Sequence, residues 1–479
     1  GWYSYLGGKP VISDELNATA ILIAATELYA ALKPSGPRIL SQPAQIVRGL
    51  IGQSAGFSVE ATADATGYQW QKLMADGNFT NIAGATSATL TLSNLQASDA
   101  GKYRVIIFNA LGSVISGIVD FSFAPLITSQ PESVAAQAGG KVTLTAGVQG
   151  GDTRCQWYRN GIPLKDANTS TLTLDGVDHN GSAGRYQLIV TNPFGMTISR
   201  PAHVLVDKSR VVSWGEVPGL PPEGLHNVVK VAAGVSYVFG LRMDGTVAIW
   251  GNALEGFIPS TADLTNIIDI VPNANTFLAL KKDGTVVEIA VVFKRSGRRG
   301  NGPIISTSLA ITPVAGLTDV ISITGGSSFV TSTTAPNVAF AIRSDGTVAA
   351  WSPAGGNYSL VNEMPGDLKN VIAIAAGQDY GVALDRNGSL TIWGGNRYNT
   401  KDLPAGLNPI TTISAHQTHI MALDNNRTLK SWGDNGSGQT NVPAALRYPQ
   451  GFSAGNIHSL AVDDNGSVIA WGNNTKGQS

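Results

Sequence analysis

From residue 228 onward, short apolar runs and turn residues follow one another in a fixed order. Val231-Ala232-Ala233-Gly234, an apolar run, Asp244-Gly245-Thr246 and a run ending in Trp250-Gly251 return as Ile374-Ala375-Ala376-Gly377, Asn387-Gly388-Ser389 and Trp393-Gly394. Asp-Gly or Asn-Gly between two apolar runs signals a hairpin, because both turn residues must reach positive φ at little cost. The runs are therefore read as antiparallel strands. The Thr/Ser after the turn recurs at Thr246, Thr285, Thr347, Ser389, Thr428 and Ser467, at spacings of 39, 62, 42, 39 and 39 by subtraction. A period near forty residues marks units that cannot bury their own apolar face and must stack on neighbours, as in a propeller or solenoid.

One unit is swollen. Between Thr285 and Thr347 the segment from Val291 to Thr318 reads as an insertion carrying Lys294, Arg295, Arg298 and Arg299, and Thr331 to Asn337 adds a second bulge. Such insertions are expected on a loop face. Trp-ending runs stand at Trp214, Trp250, Trp351, Trp393, Trp432 and Trp471, with a degenerate one near Val287 to Ala290. Trp214 lacks preceding runs of its own type, so Arg210 to Gly215 is expected to belong to a seventh blade whose other strands lie beyond residue 479. The alternative is a six-bladed ring with a spare strand.

The motifs Ala375-Ala376-Gly377, Val382-Ala383-Leu384, Trp432-Gly433-Asp434-Asn435 with Gly438-Gln439, and Asn441-Val442-Pro443 resemble the bacterial branch of the RCC1-like seven-bladed propellers. That branch includes the secreted propeller that inhibits β-lactamases. The resemblance runs from about Arg210 to the end and implies a fold; a fold selects no function.

A second, longer repeat precedes it. Ile39-Leu40-Ser41-Gln42-Pro43 returns as Ile127-Thr128-Ser129-Gln130-Pro131, Tyr68-Gln69-Trp70 as Cys155-Gln156-Trp157, and Ala100-Gly101-Lys102-Tyr103 as Ala183-Gly184-Arg185-Tyr186. These segments resemble tandem immunoglobulin-like sandwiches of bacterial surface proteins, with a Trp between the sheets and a Tyr at the tyrosine-corner position. The cysteines that such domains place between their sheets are replaced by Val59 and Val105 in the first and by Leu144 and Leu188 in the second. Burying each of these is worth roughly 1.5–3 kcal/mol, so apolar packing is expected to stand in for the crosslink. The expected organisation is a helical segment over 1–36, sandwiches over 37–124 and 125–207, and the propeller over 208–479. In the first segment Ser13-Asp14-Glu15 reads as a helix start, and Leu16 to Leu32 as an apolar helix ended by Pro34, Gly36 and Pro37. Docking on the first sandwich and contact with another subunit are both open for it. Glu27 interrupts it as a membrane span.

Composition fits an all-β, extracytoplasmic chain. Charged residues make up 14% and glycine 56 of 479 positions, so solubility rests on Ser, Thr and Asn. Net charge is −1, which offers no global attraction to nucleic acid. Cys155 is the single cysteine and is expected on a strand of the second sandwich.

Catalytic signatures are scarce. Gly52-Gln53-Ser54-Ala55-Gly56 has the letters of a nucleophile elbow but opens a sandwich strand, not a strand-to-helix turn. Asp385-Arg386-Asn387-Gly388 and Asp463-Asp464-Asn465-Gly466 have calcium-like letters, yet they fill the hairpin slot that needs Asn-Gly for its backbone. No catalytic group, cofactor or metal is expected.

Overlaying the repeats brings out Tyr237, Thr276, Phe329, Tyr380, His419 and His458, one per unit, three residues after the Gly-type turn position that follows the first strand. Equivalent positions in a propeller fall on one circle, so they form a candidate binding ring near one channel mouth. Amphipathic Tyr and His suit protein or glycan recognition there, and packing between blades suits them equally. His416, His419 and His458 would hold a divalent metal only if their rings converge. Lys294, Arg295, Arg298 and Arg299 form a candidate loop for an anionic partner such as a cell-surface glycan.

These features point to a non-enzymatic extracellular or cell-surface protein, an Ig-like stalk presenting a propeller for adhesion or assembly. Protein partners or self-association are expected, and nucleic acid is not. The alternatives are a secreted inhibitor or receptor using the loop face, and a lectin-like module.

Overall fold

The computed structural model describes residues 5–6, 9–10, 36–49, 52–207, 211–215, 219–234, 236–273, 276–296, 302–326, 338–352 and 359–479. The helix expected over Leu16 to Leu32, the bulge at Thr331 to Asn337, and Phe329, Arg298 and Arg299 lie outside the described residues. The chain forms two compact units, 1–123 and 124–479. It is almost wholly β, as its patterning requires.

The first unit holds one sandwich. Its larger sheet runs in the order Ile46–Gly49, Val119–Phe123, Gly101–Asn109, Gly67–Leu73, Phe79–Asn81, with Gly112–Ile115 hairpinned onto Gly101–Asn109. Ala55–Ser58 pairs with Thr89–Leu92 to make the opposing layer. Trp70, Tyr103, Val105, Ile107 and Phe121 fill the core. The Trp70 indole donates to the Ser87 carbonyl at 3.0 Å, and the Tyr103 hydroxyl to the Asp99 carbonyl at 2.6 Å, which closes a tyrosine corner.

The second unit begins with a sandwich of the same design. Its Trp157 indole donates to Thr169 O at 2.9 Å, and its Tyr186 hydroxyl to Ser182 O at 2.6 Å. Val59 and Val105 in the first sandwich, and Leu144 and Leu188 in the second, are buried in their cores. Cys155 is a free, half-buried thiol on the Arg154–Arg159 strand.

Six antiparallel sheets follow. Their first strands are Val228–Ala233, Ile267–Asn273, Val320–Gly325, Val371–Ala376, Ile410–His416 and Gly451–Ala454. A middle strand is apolar on both sides where both faces of its sheet pack on neighbouring sheets, as in Tyr380–Asp385, where all but the last residue are buried. Five shared cores join consecutive sheets, centred on Phe239 and Phe277, on Leu278 and Val320, on Phe340 and Ile374, on Tyr380 and Ile420, and on Met421 and Ala461. The hairpin acids serve the turns: Asp244 Oδ1 accepts from Thr246 N at 2.9 Å and Oγ1 at 2.7 Å, and Asp463 Oδ1 from Asn465 N and Ser467 N at 2.9 and 2.8 Å.

Six such sheets occur among the described residues, and Val211–Gly215, expected as a strand of a further blade, carries no ladder there. Between the first and sixth sheets lies a mainly apolar groove of about 220 Å³, lined by Val231, Val238 and Trp250 on one side and by His458 and Leu460 on the other. Trp214 borders it and donates to Gln478 O at 3.4 Å. The insertion also departs from expectation. Its described part is not a loop: Val286–Arg295 and Ile304–Pro313 form a long ribbon, which makes the second sheet four-stranded.

Candidate functional site

The turn between first and second strands places the candidate ring. In the fourth sheet this turn is Gly377-Gln378-Asp379-Tyr380, closed by Gly377 N donating to Tyr380 O at 2.9 Å. The Tyr380 ring folds back over Gly377, where a Cβ would stand 2.0 Å from its Cε1. His458 lies over Gly455 in the same way, 2.4 Å from a Cβ there. At these two positions the side chain lies over the Gly three residues earlier, whose missing Cβ leaves room for it.

Burial follows. Tyr237, Tyr380 and His419 are buried, and Thr276 and His458 are partly accessible. The Tyr380 hydroxyl lies 2.9 Å from His416 O and 2.8 Å from His419 O, tying the fourth sheet to the fifth. Burial, with the Asp379 charge adding to it, pushes its pKa well above the usual phenol value. Thr276 Oγ1 sits 2.7 Å from Glu288 Oε1 and 3.1 Å from Asn273 O. Tyr237 packs against Phe277 with ring centroids 5.6 Å apart. Among the described members, only Thr276 and His458 offer any surface to a ligand.

His419 Nε2 lies 2.8 Å from Ser459 Oγ, a Ser–His pair that sequence spacing did not reveal. Ser459 Oγ in turn donates to Gln439 O at 2.9 Å, so its one proton is used and His419 must donate from Nε2. Both residues are fully buried, which denies a substrate access to the hydroxyl. The pair is a strut between the fifth and sixth sheets. Burial, then the mutual charge of the neighbouring histidines, lowers His416 and His419 to about 4. Among the described residues no three His, Cys, Asp or Glu side chains converge to hold a metal.

Lys294 and Arg295 sit exposed at the end of the Val286–Arg295 strand. Ser54 is exposed at the start of the Ala55–Ser58 strand, with no helix following.

The opposite, hairpin face holds what the sequence did not announce: the second sandwich lies against it. Ile189, Met196 and Ile198 of the sandwich share one core with Ile321, Phe340, Ile342 and Ile374 of the third and fourth sheets. Ile162 reaches the core of the fifth and sixth sheets. Polar contacts surround these: Ile198 N donates to Ser344 O at 2.7 Å, Arg200 to the carbonyls of Lys282 and Asp283, Asn180 to Asn465 O at 3.0 Å, and Arg159 to Gln450. Five of the six first strands carry a β-bulge at the same place, spanning Val228/Lys230, Ile267/Asp269, Val320/Ser322, Val371/Ala373 and Ile410/Thr412. A bulge leaves one residue out of the ladder. Two of the carbonyls at these bulges, Ile268 O and Ile321 O, accept from His203 and Arg185 of the sandwich, each at 3.4 Å.

Beside them Asp269, 3% exposed, pairs with Lys230 Nζ at 2.5 Å. Burial raises its pKa, but the charges of Lys230 and Arg185 outweigh this and leave it below the ordinary value. Burial, then the Arg185 charge, lowers His203 to about 4, so it is neutral at pH 7. A cavity of about 170 Å³ lies at this joint, lined by Arg200, His203, Arg242, Asp244 and Lys282 among others.

Comparisons with known proteins bear on both halves. An immunoglobulin-domain profile matches residues 124–192, a regulator of chromosome condensation (RCC1) repeat matches 451–478, and a domain of unknown function matches 45–124. Endoglucanase C of Cellulomonas fimi is 29% identical over 37% of this chain and 17% of its own length. HEPACAM family member 2 of Bos taurus is 29% identical over 22% of the chain and 25% of its own, and the human cell adhesion molecule-related/down-regulated by oncogenes protein 32% over 22% and 9%. The chain therefore spans a quarter or less of each of these relatives. Among solved structures, a Dscam isoform structure is 17% identical over 36% of this chain and 47% of that one, with a TM-score of 0.30; extracellular domains 3–5 of Drosophila OTK give 19%, 36%, 62% and 0.29. The chain carries an immunoglobulin-like domain and an RCC1 repeat, and its relatives include cell-adhesion proteins.

Proposed function

We propose that the chain is a non-enzymatic, adhesion-type part of an extracellular or cell-surface protein, bacterial as its repeat motifs suggest, built for binding or assembly. The observation that carries this reading is the core shared by Ile189, Met196 and Ile198 with Phe340 and Ile374. A sandwich buried in this way is no swinging spacer. It makes the second sandwich and the sheets one rigid head, suited to holding a recognition surface still. Because the sandwich covers the hairpin face, partners meet the turn face or the rim. There Thr276 and His458 keep partial exposure beside apolar surface, and Lys294 and Arg295 add two exposed positive charges, which suits a protein or an anionic glycan.

The test is to screen the full chain against immobilised cell-surface glycans and surface-protein extracts, with Thr276→Ala, His458→Ala and Lys294→Glu/Arg295→Glu variants beside it. Binding weakened by these changes supports the reading, and binding that none of them alters removes the surface named. Release of reducing ends from soluble cellulose by the purified chain would overturn the non-enzymatic assignment.

A further inference from the structure

The Ile304–Pro313 strand is the outermost of its sheet, and Val286–Arg295 is its one strand neighbour among the described residues. We propose that this strand is a pairing edge, through which two copies of the chain join antiparallel about a two-fold axis. This deepens the assembly side of the function proposed above, and rests on it only for its biological purpose.

Proteins usually blunt a sheet edge with short length, charge, proline or a bulge. The outer strands Val247–Trp250, Val348–Trp351, Leu390–Gly394, Leu429–Gly433 and Val468–Gly472 of the other sheets are only four or five residues long. Ile304–Pro313 runs for ten residues and carries no charge; its one bulge, at Ile305 between the Arg295/Ile304 and Lys294/Ser306 pairs, and its one proline, Pro313, sit at the two ends and leave residues 306–312 regular. Thr307, Leu309 and Ile311 are half-buried, and Leu309 and Ile311 pack on the core of the first two sheets. The alternate residues Ser306, Ser308, Ala310 and Thr312 are exposed, small and uncharged, so these side chains do not obstruct a strand laid alongside. Exposed Val292, Ile305, Phe257 and Ile258 add apolar surface near the edge.

Charge selects a second copy in the antiparallel sense. In the ribbon Arg295 stands opposite Ile304 and Lys294 opposite Ser306, whereas Glu288 stands opposite Thr312. Parallel pairing would set two basic ends side by side. Antiparallel pairing centred near Ser308 separates the two copies of Arg295 by roughly 25 Å and the two copies of Lys294 by roughly 14 Å, at about 3.4 Å per residue, and turns each basic end toward the partner's acidic end. The edge itself, having no charge, does not repel its own copy. Each copy uses up the other's edge, so association closes at two.

The experiment is sedimentation velocity on the full chain from about 1 to about 100 µM, a range that reads micromolar dissociation constants. A concentration-dependent dimer is expected. Ser308→Lys and Ser308→Glu each place like charges face to face near the axis and weaken the dimer on the order of tenfold or more, and mixing the two variants in equal amounts restores it. Ser308 is exposed, so both variants keep the wild-type melting temperature. A wild type that stays monomeric throughout, or a dimer indifferent to both substitutions, overturns the proposal. A monomer that still binds a surface partner sinks the dimer alone, and a dimer that binds none sinks only the adhesion reading.

Discussion

Gly377 and Tyr380 occupy one another's space: the phenol ring lies where the glycine would carry a Cβ, 2.0 Å from that position. This fit lets the Tyr380 hydroxyl cross to the fifth sheet and reach His416 O and His419 O. Gly377→Ala should therefore destabilise the protein by about 1–3 kcal/mol through overpacking, and Tyr380→Phe by about 1 kcal/mol through the lost hydrogen bond. Gly151, around which a Cβ would meet nothing within 4 Å, is the control, and Gly151→Ala should be neutral in the same denaturant titration.

Ile189 pairs with Ile198 in the second sandwich as Ile106 pairs with Ile115 in the first. Ile198 is 2% exposed against the sheets and Ile115 is 47% exposed. Truncation at the two equivalent sites should separate them: Ile198→Ala costs about 2–4 kcal/mol, whereas Ile115→Ala stays within about 0.5 kcal/mol. Equal effects would mean that the second sandwich does not rest on the hairpin face.

Acid should weaken the fold before it protonates the carboxylates. His203, His416 and His419 are held neutral, with pKa values lowered to about 4 from 6.5. The unfolded chain then binds protons that the folded chain refuses. Their contribution is fully present above pH 6.5 and is lost as pH falls toward 4, by up to roughly 1.4 kcal/mol per pH unit for each site. Denaturant midpoints at pH 7.5, 6, 5 and 4.5 measure this slope, and His203→Gln should remove one site's share. A flat profile over that range would show that these imidazoles are not buried as described.

Asp269 and Lys230 join the first two sheets beneath the sandwich. Asp269→Ala leaves Lys230 facing Arg185 and His203 without its anion. It should cost roughly 2–3 kcal/mol, short of the loss at a fully dry pair because Lys230 keeps some solvent. Asp269→Ala combined with Lys230→Met should recover part of that loss, which a double-mutant cycle reads directly.

Much of this architecture is written in local pattern. Asp-Gly and Asn-Gly turns fix the hairpins because the backbone needs positive φ there, as at Gly245 with φ 79°. The two Trp and two Tyr residues of the sandwiches fix their cores through side chains that find carbonyls four to seventeen residues away. The candidate ring was legible as a position but not as an environment. Spacing shows that Tyr380 and His419 are equivalent, and only packing shows that both are sealed between sheets, where they brace the scaffold. The insertion was likewise visible as extra length and basic charge, while its pairing into a ribbon depended on register with the rest of the second sheet.

The sequence by itself determined the strand periodicity, the hairpins, the repeat and the apolar replacement of the sandwich crosslinks, because each depends on residues that meet locally or within one repeat. Tertiary structure alone decided which of two similar apolar faces would be covered. Val105-Ile106-Ile107 and Leu188-Ile189-Val190 read alike, yet Ile106 is only half-buried, beside an exposed Ile115, and Ile189 is buried against the third and fourth sheets. Apolar burial has no direction and no address of its own. What directed it here was a set of long-range contacts, Arg185 and His203 on carbonyls at the bulges and Asp269 among their charges, and no stretch of sequence contains both sides of those contacts.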